Sequence, residues 1–326
     1  MNHRNLMNLI SVNGLAHEVV SNLVARKDFY GVQVEKLSSG ATVIDSGLKA
    51  NGGYDAGVMV TRVAMGGIGS VALQYSVYGS LKLPSIVVST DYPAISLFGA
   101  QLAGWKIKAE GYVGDGSGPA RALALKPKEV FQKIDYKDQS NYAVILLEGE
   151  EKPNDNAAYY IADRCGVKPE NVYMVLTSTR SLAGMVQISG RIVETGLFRL
   201  DILGIDPKKV LHGIGYAPVM PLHTDVGKAM GRAEDALTYG GVTSFIVDED
   251  EDILAEKVEK APSSNCKEYG RTSYDIYKSV EFDFTKIDPA IFAPAQITLV
   301  SAKTGKVFTR GKVNDEMLER SINAEN

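Results

Sequence analysis

Cysteine, histidine and tryptophan are scarce in this chain of 326 residues, which contains two cysteines, four histidines and one tryptophan. The cysteines, Cys165 and Cys266, lie far apart and lack CxxC spacing, so neither a zinc site nor a disulfide framework is expected. The four scattered histidines predict no histidine-based metal site either. Because so few thiols and no disulfide pattern are typical of a reducing compartment, we expect a cytoplasmic protein.

Long apolar runs and an excess of positive charge are also absent. No stretch of 18 apolar residues occurs, and the first seven residues lack the apolar run of a signal peptide, so we expect neither a membrane span nor a leader. The formal net charge is −4, which argues against binding to nucleic acid or to an anionic membrane. The expected ligand class is therefore a small molecule.

Segments with strand character alternate with segments of helical periodicity along most of the chain. Val32–Leu37 and Thr42–Ile44 flank a Ser-Ser-Gly turn, which predicts a β-hairpin. Ser85–Ser89 is rich in β-branched residues, and Pro93–Leu102 is predicted to be a helix with proline in its first turn. This alternation predicts an α/β (α+β) fold with mixed sheets.

The length of the chain allows two domains. The charged segment 126–139 is the candidate boundary, which predicts an N-terminal α/β domain of residues 1–135 and a C-terminal α/β domain of residues 136–326. The C-terminal segment is a candidate to pack back on the first domain. No short-period repeat is present.

The most informative segment is Gln187–Gly196, where Arg191 and Glu194 lie three positions apart among apolar and small residues. We predict one long helix from about Leu182 to Leu203, and in a helix residues i and i+3 share a face. A carboxylate in such surroundings is a candidate general acid/base, and the arginine would orient it or the substrate. The alternative is an ion pair on a solvated helix face, which contributes little.

Glycines around this pair weaken the alternative. Gly184, Gly190 and Gly196 leave the predicted helix almost bare, although each glycine in a helix interior costs up to ~1 kcal/mol relative to alanine. Several of them together suggest that another helix or a ligand packs closely against the backbone.

A second candidate site is the glycine-rich segment Gly114–Arg121. Gly116, Ser117 and Gly118 can present backbone amides to an anion, and Arg121 adds a positive charge. The spacing fits neither a Walker A loop nor a dinucleotide fingerprint. The alternative is a plain turn with proline at the first position of a following helix.

Two further groups are candidate substrate contacts. Asp45 ends a predicted strand and could bind a polar ring, or it could cap local backbone amides in a turn. Ser263 and Ser264, with Tyr269, could line a pocket for a heterocycle, or they could belong to a polar linker. No serine lies in a G-x-S-x-G elbow, so nucleophilic catalysis by serine is not expected.

Several of these segments together resemble the methenyltetrahydromethanopterin cyclohydrolase family, and they span nearly the whole chain in a fixed order. The segments that carry the resemblance are Gly40–Asp45, Asp91–Ser96 with Gly99–Trp105, Gly116–Leu123, Gln187–Glu194, Ala229–Arg232 with Asp235 and Tyr239–Gly241, and Ile287–Pro289 with Phe292–Ala295. Their conjunction is far more specific than any single segment.

The resemblance implies a cytoplasmic enzyme of one-carbon metabolism, in methanogenesis or in methylotrophic bacteria. Such enzymes interconvert methenyl- and formyl-tetrahydromethanopterin without a metal or prosthetic group, so tetrahydromethanopterin is the carrier of the substrate and no cofactor is expected. The family fold is two α/β domains flanking a deep cleft, and a homotrimer is expected. The family's catalytic arginine and glutamate map onto Arg191 and Glu194.

One residue departs from the family pattern. Many relatives have a cysteine after the aspartate of the first strand, whereas this chain has Ser46, so no thiolate nucleophile is expected there. Two other functions remain open at this point: a pterin-binding protein without chemistry, and a cyclic-amidine hydrolase acting on a folate-type carrier.

Overall fold

The structure is a computed structural model that describes residues 9–283 and 286–323. The chain divides into two compact units, each built around a six-stranded mixed sheet. The first unit contains residues 9–69 and Ala94–Gln187, and the second contains Ser70–Pro93 with the described residues from Ile188 onward. The mixed α/β class predicted from the sequence is confirmed.

The first sheet has the order β1-β2-β8-β7-β6-β5. Strands β2, β8 and β7 are parallel, and the outer pairs are antiparallel. The predicted hairpin at residues 32–44 is present as β1 and β2. The strands are β1 (Gln33–Lys36), β2 (Thr42–Asp45), β5 (Trp105–Ala109), β6 (Tyr112–Ser117), β7 (Ala143–Glu148) and β8 (Val172–Thr177).

Helices cover both faces of the first sheet, which explains why β7 reads as an unbroken apolar run. Ile145 and Leu147 pack into one core cluster, and Val144 and Leu146 into another. The helices of this unit are α1 (Val12–Ala25), α2 (Lys27–Tyr30), α3 (Tyr54–Ala64), a π-helix (Ala94–Gln101), α4 (Ala120–Ala124), α5 (Lys128–Ile134), α6 (Asp155–Cys165) and α7 (Leu182–Ser189).

The second sheet has the order β12-β11-β10-β9-β4-β3 and is mostly antiparallel, with β10 and β11 parallel. Its strands are β3 (Gly69–Tyr78), β4 (Leu81–Thr90), β9 (Val210–Pro218), β10 (Val242–Val247), β11 (Gln296–Ser301) and β12 (Val307–Gly311). The helices of this unit are α8 (Ile192–Ile202), α9 (Val226–Gly240), α10 (Glu251–Lys260), α11 (Ser273–Ser279) and α12 (Asp315–Asn323).

The two faces of the second sheet differ in burial. Phe245 and Leu299 are fully buried on the face that α8 packs against. Ile214 and Ile246 share the opposite face, because Ile214 pairs with Ser244 across the ladder, and they are 50% and 38% exposed. The second sheet therefore has one face on which isoleucine side chains remain partly open to solvent.

The division into units differs from the boundary predicted near residue 135. That boundary falls within the first unit, because β7 and β8, which follow it, join β2 in the first sheet. The β3–β4 hairpin comes early in the chain and yet belongs to the second sheet, where β4 pairs with β9. The C-terminal strands and α12 also lie in the second unit. Composition could not reveal these long-range strand pairings.

Other local predictions need correction. The single helix predicted from Leu182 to Leu203 is two helices, α7 and α8, with a break at Gly190 and Arg191. The charged segment 126–139, predicted to be the domain boundary, contains α5. No helix among the described residues is long and apolar enough to cross a membrane.

Candidate functional site

Arg191 and Glu194 lie where the predicted long helix is interrupted and α8 begins. Arg191 occupies the N-cap position with φ −82° and ψ 0°, and Glu194 lies in the first turn. The carboxylate is therefore close to the end of the helix where backbone amides and the helix dipole favour negative charge. The spacing of three residues brings the two side chains together as predicted, although Arg191 is outside the helix proper.

The two side chains form an ion pair of 3.1 Å between Nη1 of Arg191 and Oε2 of Glu194. Their side chains are 13% and 10% exposed. This is not the solvated surface pair that was the alternative interpretation. A buried carboxylate costs several kcal/mol unless it is paired, and the guanidinium of Arg191 and the start of α8 provide that pairing for Glu194.

Gly196, one of the glycines predicted to permit close packing, permits close packing of α8 on another part of the protein. A Cβ on Gly196 would lie 2.8 Å from the ring of Phe245, so α8 sits directly on β10. On the strand side, Cβ atoms on Gly213 and Gly215 would lie 2.9 Å and 3.2 Å from the methyl groups of Val193. The partner of this part of α8 is the second sheet, rather than the helix or ligand that the sequence suggested.

Asp45 binds the backbone of its own turn. Its Oδ1 accepts from the amides of Gly47 and Leu48, and its Oδ2 accepts from those of Lys49 and Ala50. The side chain is 8% exposed. These contacts match the turn-capping alternative, because four backbone donors already occupy both carboxylate oxygens.

The glycine-rich segment Gly114–Arg121 is not an anion cradle. Gly116 and Ser117 belong to β6, and Gly118 makes the turn into α4 with φ 93°. Arg121 is fully buried, and its Nη1 donates to the carbonyl oxygens of Phe98 at 3.0 Å and Ala100 at 3.2 Å. The guanidinium thus ties α4 to the π-helix and does not face a solvent-borne anion.

The serine and tyrosine candidates lie around α9. Ser263 is buried, and its hydroxyl donates to the Thr238 carbonyl at 2.6 Å. Ser264 is exposed, and the Tyr269 hydroxyl accepts from Asn314 Nδ2 at 3.1 Å. Of the predicted site residues in the second unit, the structure joins only Arg191 and Glu194 by a direct contact.

Comparison of the sequence with known proteins identifies the family of this chain. The family model described as Cyclohydrolase (MCH) matches residues 11–322. The chain belongs to the MCH cyclohydrolase family. The methenyltetrahydromethanopterin cyclohydrolases of Methanothermobacter marburgensis and Methanocaldococcus jannaschii are both 41% identical to it, over 96% of this chain and 99% and 98% of their own length. That of Methanospirillum hungatei is 42% identical over 96% of this chain and 99% of its own.

The thiols and hydroxyls of this cyclohydrolase family member fit no nucleophilic role. Burial raises the pKa of the Cys165 thiol to about 12, and it raises the pKa of Cys266 as well, so both are poor thiolates at neutral pH. Ser46 is fully buried and donates to the Leu176 carbonyl at 2.8 Å. Within the described residues, no group of three or more potential ligands is arranged to hold a metal ion.

A second buried carboxylate of this family member was not singled out from the residues alone. Asp235, in the middle of α9, is fully buried. It accepts from the amide and hydroxyl of Ser273 at 2.8 Å and 2.6 Å and from the hydroxyl of Ser321 at 2.6 Å. Burial raises its pKa to about 6, against the opposing effect of these donors. An acidic residue on the apolar face of a predicted helix is the sequence signal that could have found it.

The first unit has a polar cluster at the carboxyl ends of two parallel strands. Glu148, which ends β7, accepts from the Thr179 hydroxyl at 2.8 Å and from Gln187 Nε2 at 3.0 Å. Carboxyl ends of parallel strands commonly carry functional side chains. Polar residues directly after apolar strands are the sequence signal that could have found this cluster.

Proposed function

We propose that this chain interconverts methenyl-tetrahydromethanopterin plus water and formyl-tetrahydromethanopterin, with Glu194 as the acid/base and Arg191 as its partner. The names of its relatives support the reaction. The observation that supports the assignment of residues is the buried 3.1 Å ion pair at the start of α8.

The chemistry needs one group that can accept and return a proton. The methenyl carbon lies between two nitrogens in an amidinium cation, so it is already electrophilic and needs no Lewis acid or redox group. In the hydration direction, water attacks this carbon while Glu194 takes one of its protons. Glu194 then delivers that proton to one ring nitrogen as the carbon–nitrogen bond breaks, the hydroxyl proton of the adduct leaves to solvent, and the formyl group remains.

The ionised form of Glu194 has a second effect on this substrate. A carboxylate next to an amidinium cation attracts it by charge, and the attraction is strong where the surroundings exclude water. Arg191 has two roles in this mechanism. It holds the carboxylate in one rotamer through the ion pair, and it keeps Glu194 charged when no substrate cation is bound.

The test follows the absorbance of the methenyl chromophore after the protein is mixed with methenyl-tetrahydromethanopterin, with wild type beside Glu194→Gln. Loss of the chromophore with wild type alone is the expected result. Tight binding without chromophore loss in either protein would favour a pterin-binding protein without chemistry. Faster turnover of the tetrahydrofolate analogue would favour a hydrolase acting on a folate-type carrier.

We also propose that the protein is a homo-oligomer of the cytoplasm, with the trimer implied by the family resemblance. Ile214 and Ile246, which are partly exposed on one face of the second sheet, support self-association, because exposed apolar side chains that lie together commonly mark interfaces. Tyr75 and Val77 of the edge strand β3 in the same sheet are 70% and 68% exposed as well. Light scattering gives the mass directly, and a monomer at micromolar concentration would contradict the proposal.

A further inference from the structure

The first turn of α8 is attached to the second sheet at both ends. Before the turn, the Ser189 hydroxyl donates to the carbonyl oxygen of Pro218, the last residue of β9, at 2.8 Å. After Arg191, the side chain of Val193 packs over Gly213 and Gly215 of the same strand. The first attachment, at Ser189, lies two residues before Arg191. The second, at Val193, lies between Arg191 and Glu194, directly before the glutamate.

Between these attachments the helix is interrupted. α7 ends at Ser189 and α8 begins at Ile192, and the amide of Arg191 donates to the Ile188 carbonyl at 2.9 Å in a tight turn. Gly190 is the residue between the serine and the arginine. Since glycine restricts its own backbone less than any other residue, a neighbouring contact must fix the direction in which the chain leaves the turn.

Ser189 is suited to that task. The side chain is fully buried, and its hydroxyl is one bond from its own Cβ, so the hydrogen bond to Pro218 fixes the backbone at that residue closely. Loss of the hydroxyl would leave the Pro218 carbonyl without this donor in a buried place, which costs more than the loss of an exposed hydrogen bond.

We infer that Ser189 is a positioning residue for the acid/base pair: its hydrogen bond to β9 sets where the turn places Arg191 and Glu194. The inference rests on the proposed function, because it assumes that Glu194 transfers protons. Catalysis by a positioned group is sensitive to displacement, and an error of ~1 Å can cost on the order of 10²-fold in rate. Ser189 acts through the backbone and is not itself a catalytic residue.

The test compares three variants of Ser189 in the full-length protein. Ser189→Ala removes the hydroxyl, Ser189→Cys replaces it with a slightly larger group that is a weaker donor, and Ser189→Thr keeps a hydroxyl at the same position. We expect kcat to fall by about 10-fold or more in the alanine variant, with KM changed less than about 3-fold. The cysteine variant should be intermediate, and threonine should restore most of the rate.

A matched control separates positioning from stability. Thr238 is also fully buried in the second unit, and its hydroxyl donates to the Ile291 carbonyl at 3.3 Å. Thr238→Val deletes that hydrogen bond without a change in shape. It should lower Tm to an extent similar to Ser189→Ala, and it should leave kcat and the pH–rate profile unchanged.

The outcomes distinguish this inference from the proposed function. The expected result includes a displaced pH–rate profile for Ser189→Ala, because the contact between Arg191 and Glu194 changes, and a wild-type profile for Ser189→Thr. Wild-type kcat and profile in Ser189→Ala, together with an inactive Glu194→Gln, would overturn the inference and leave the proposed function intact. Absence of activity in the wild type would overturn the proposed function instead. If the alanine variant does not fold, a cysteine variant with full kcat would still overturn the inference.

Discussion

Glu194 and Asp235 are two buried carboxylates on helices of the same unit, and they are held in opposite ways. Glu194 lies at a helix start in an ion pair with Arg191. Asp235 lies within α9, and its contacts are the neutral donors of Ser273 and Ser321. Burial dominates at Asp235 and raises its pKa to about 6. The comparison shows that burial alone does not distinguish a candidate acid/base from a carboxylate that joins helices. The charge of the contacting group makes the distinction, since Glu194 contacts a cation and Asp235 contacts neutral donors.

The largest expected effect is on kcat, which should depend on Glu194 and not on Asp235. Glu194→Gln should lower kcat by roughly 10²-fold or more, the range for loss of general acid/base catalysis. The fold should survive because the two side chains are nearly isosteric, but Tm should fall because Arg191 loses its anionic partner in a buried place. Asp235→Asn serves as the control and should retain kcat within a few-fold. Steady-state kinetics and thermal melts of both variants test this. Equal losses of kcat in the two would remove the distinction.

Arg191→Ala should have the next largest effect. It leaves a buried carboxylate without its cation, so we expect kcat to fall and KM to rise. The acidic limb of the pH–rate profile should move to higher pH, because the cation that favours ionised Glu194 is gone. Arg191→Lys keeps the charge and should lie between alanine and wild type. An alanine profile that superimposes on that of wild type would show that Arg191 does not tune Glu194.

For Asp235 the expected effect is on stability and has a defined sign. Its pKa in the folded protein, about 6, exceeds its ordinary value of 3.8, so between these values the native state retains a proton that the unfolded chain has lost. The free energy of unfolding should therefore fall as pH rises from about 4 to about 6, by up to ~3 kcal/mol from this group, and should show no further loss from it above pH 6. Denaturant unfolding of wild type and Asp235→Asn across this range isolates the contribution as a difference. If the free energies of unfolding of the two proteins changed in parallel with pH, Asp235 would not contribute the expected pH dependence.

The smallest expected effect concerns one donor to Asp235. Ser321→Ala removes the hydroxyl from Oδ2, which favours the ionised form. We expect the free energy of unfolding to fall by about 1 kcal/mol at pH 7 and the pKa of Asp235 to rise further. The pH range over which stability declines should therefore extend to higher pH. Kinetic constants should not change. A slope unchanged from that of wild type would mean that the hydroxyl does not stabilise the carboxylate.

The sequence predicted the parts of the site that depend on neighbours in the chain. The Arg191–Glu194 contact follows from a separation of three residues, and the bareness of α8 follows from Gly196. The break at Gly190 could not be predicted, because glycine is compatible with both a continuous and an interrupted helix. The strand hairpin at residues 33–45 was predicted because its pattern and its turn are both local.

Side chains whose partners are distant in sequence were interpreted less well. Arg121 was predicted to bind an anion because a charge beside glycines is typical of such sites, yet its acceptors are carbonyls of the π-helix, more than 20 residues away. The pairing of β4 with β9, which decides the division into units, joins Ser85 to Pro218. Neither contact has a local signature, since each depends on the path of the chain in three dimensions.

The early β3–β4 hairpin has a consequence for the order in which a ribosome delivers the parts of this protein. All strands of the first sheet have been made once residue 177 is added, so that sheet can form while synthesis continues. The hairpin is complete when residue 90 has been made, and the outer side of β4 has no partner until β9, which begins at Val210, has been made. During that interval an unpaired strand edge is exposed, which is the condition that invites pairing with another chain. A nascent chain halted between the two strands should therefore need protection by a chaperone more than the finished protein does.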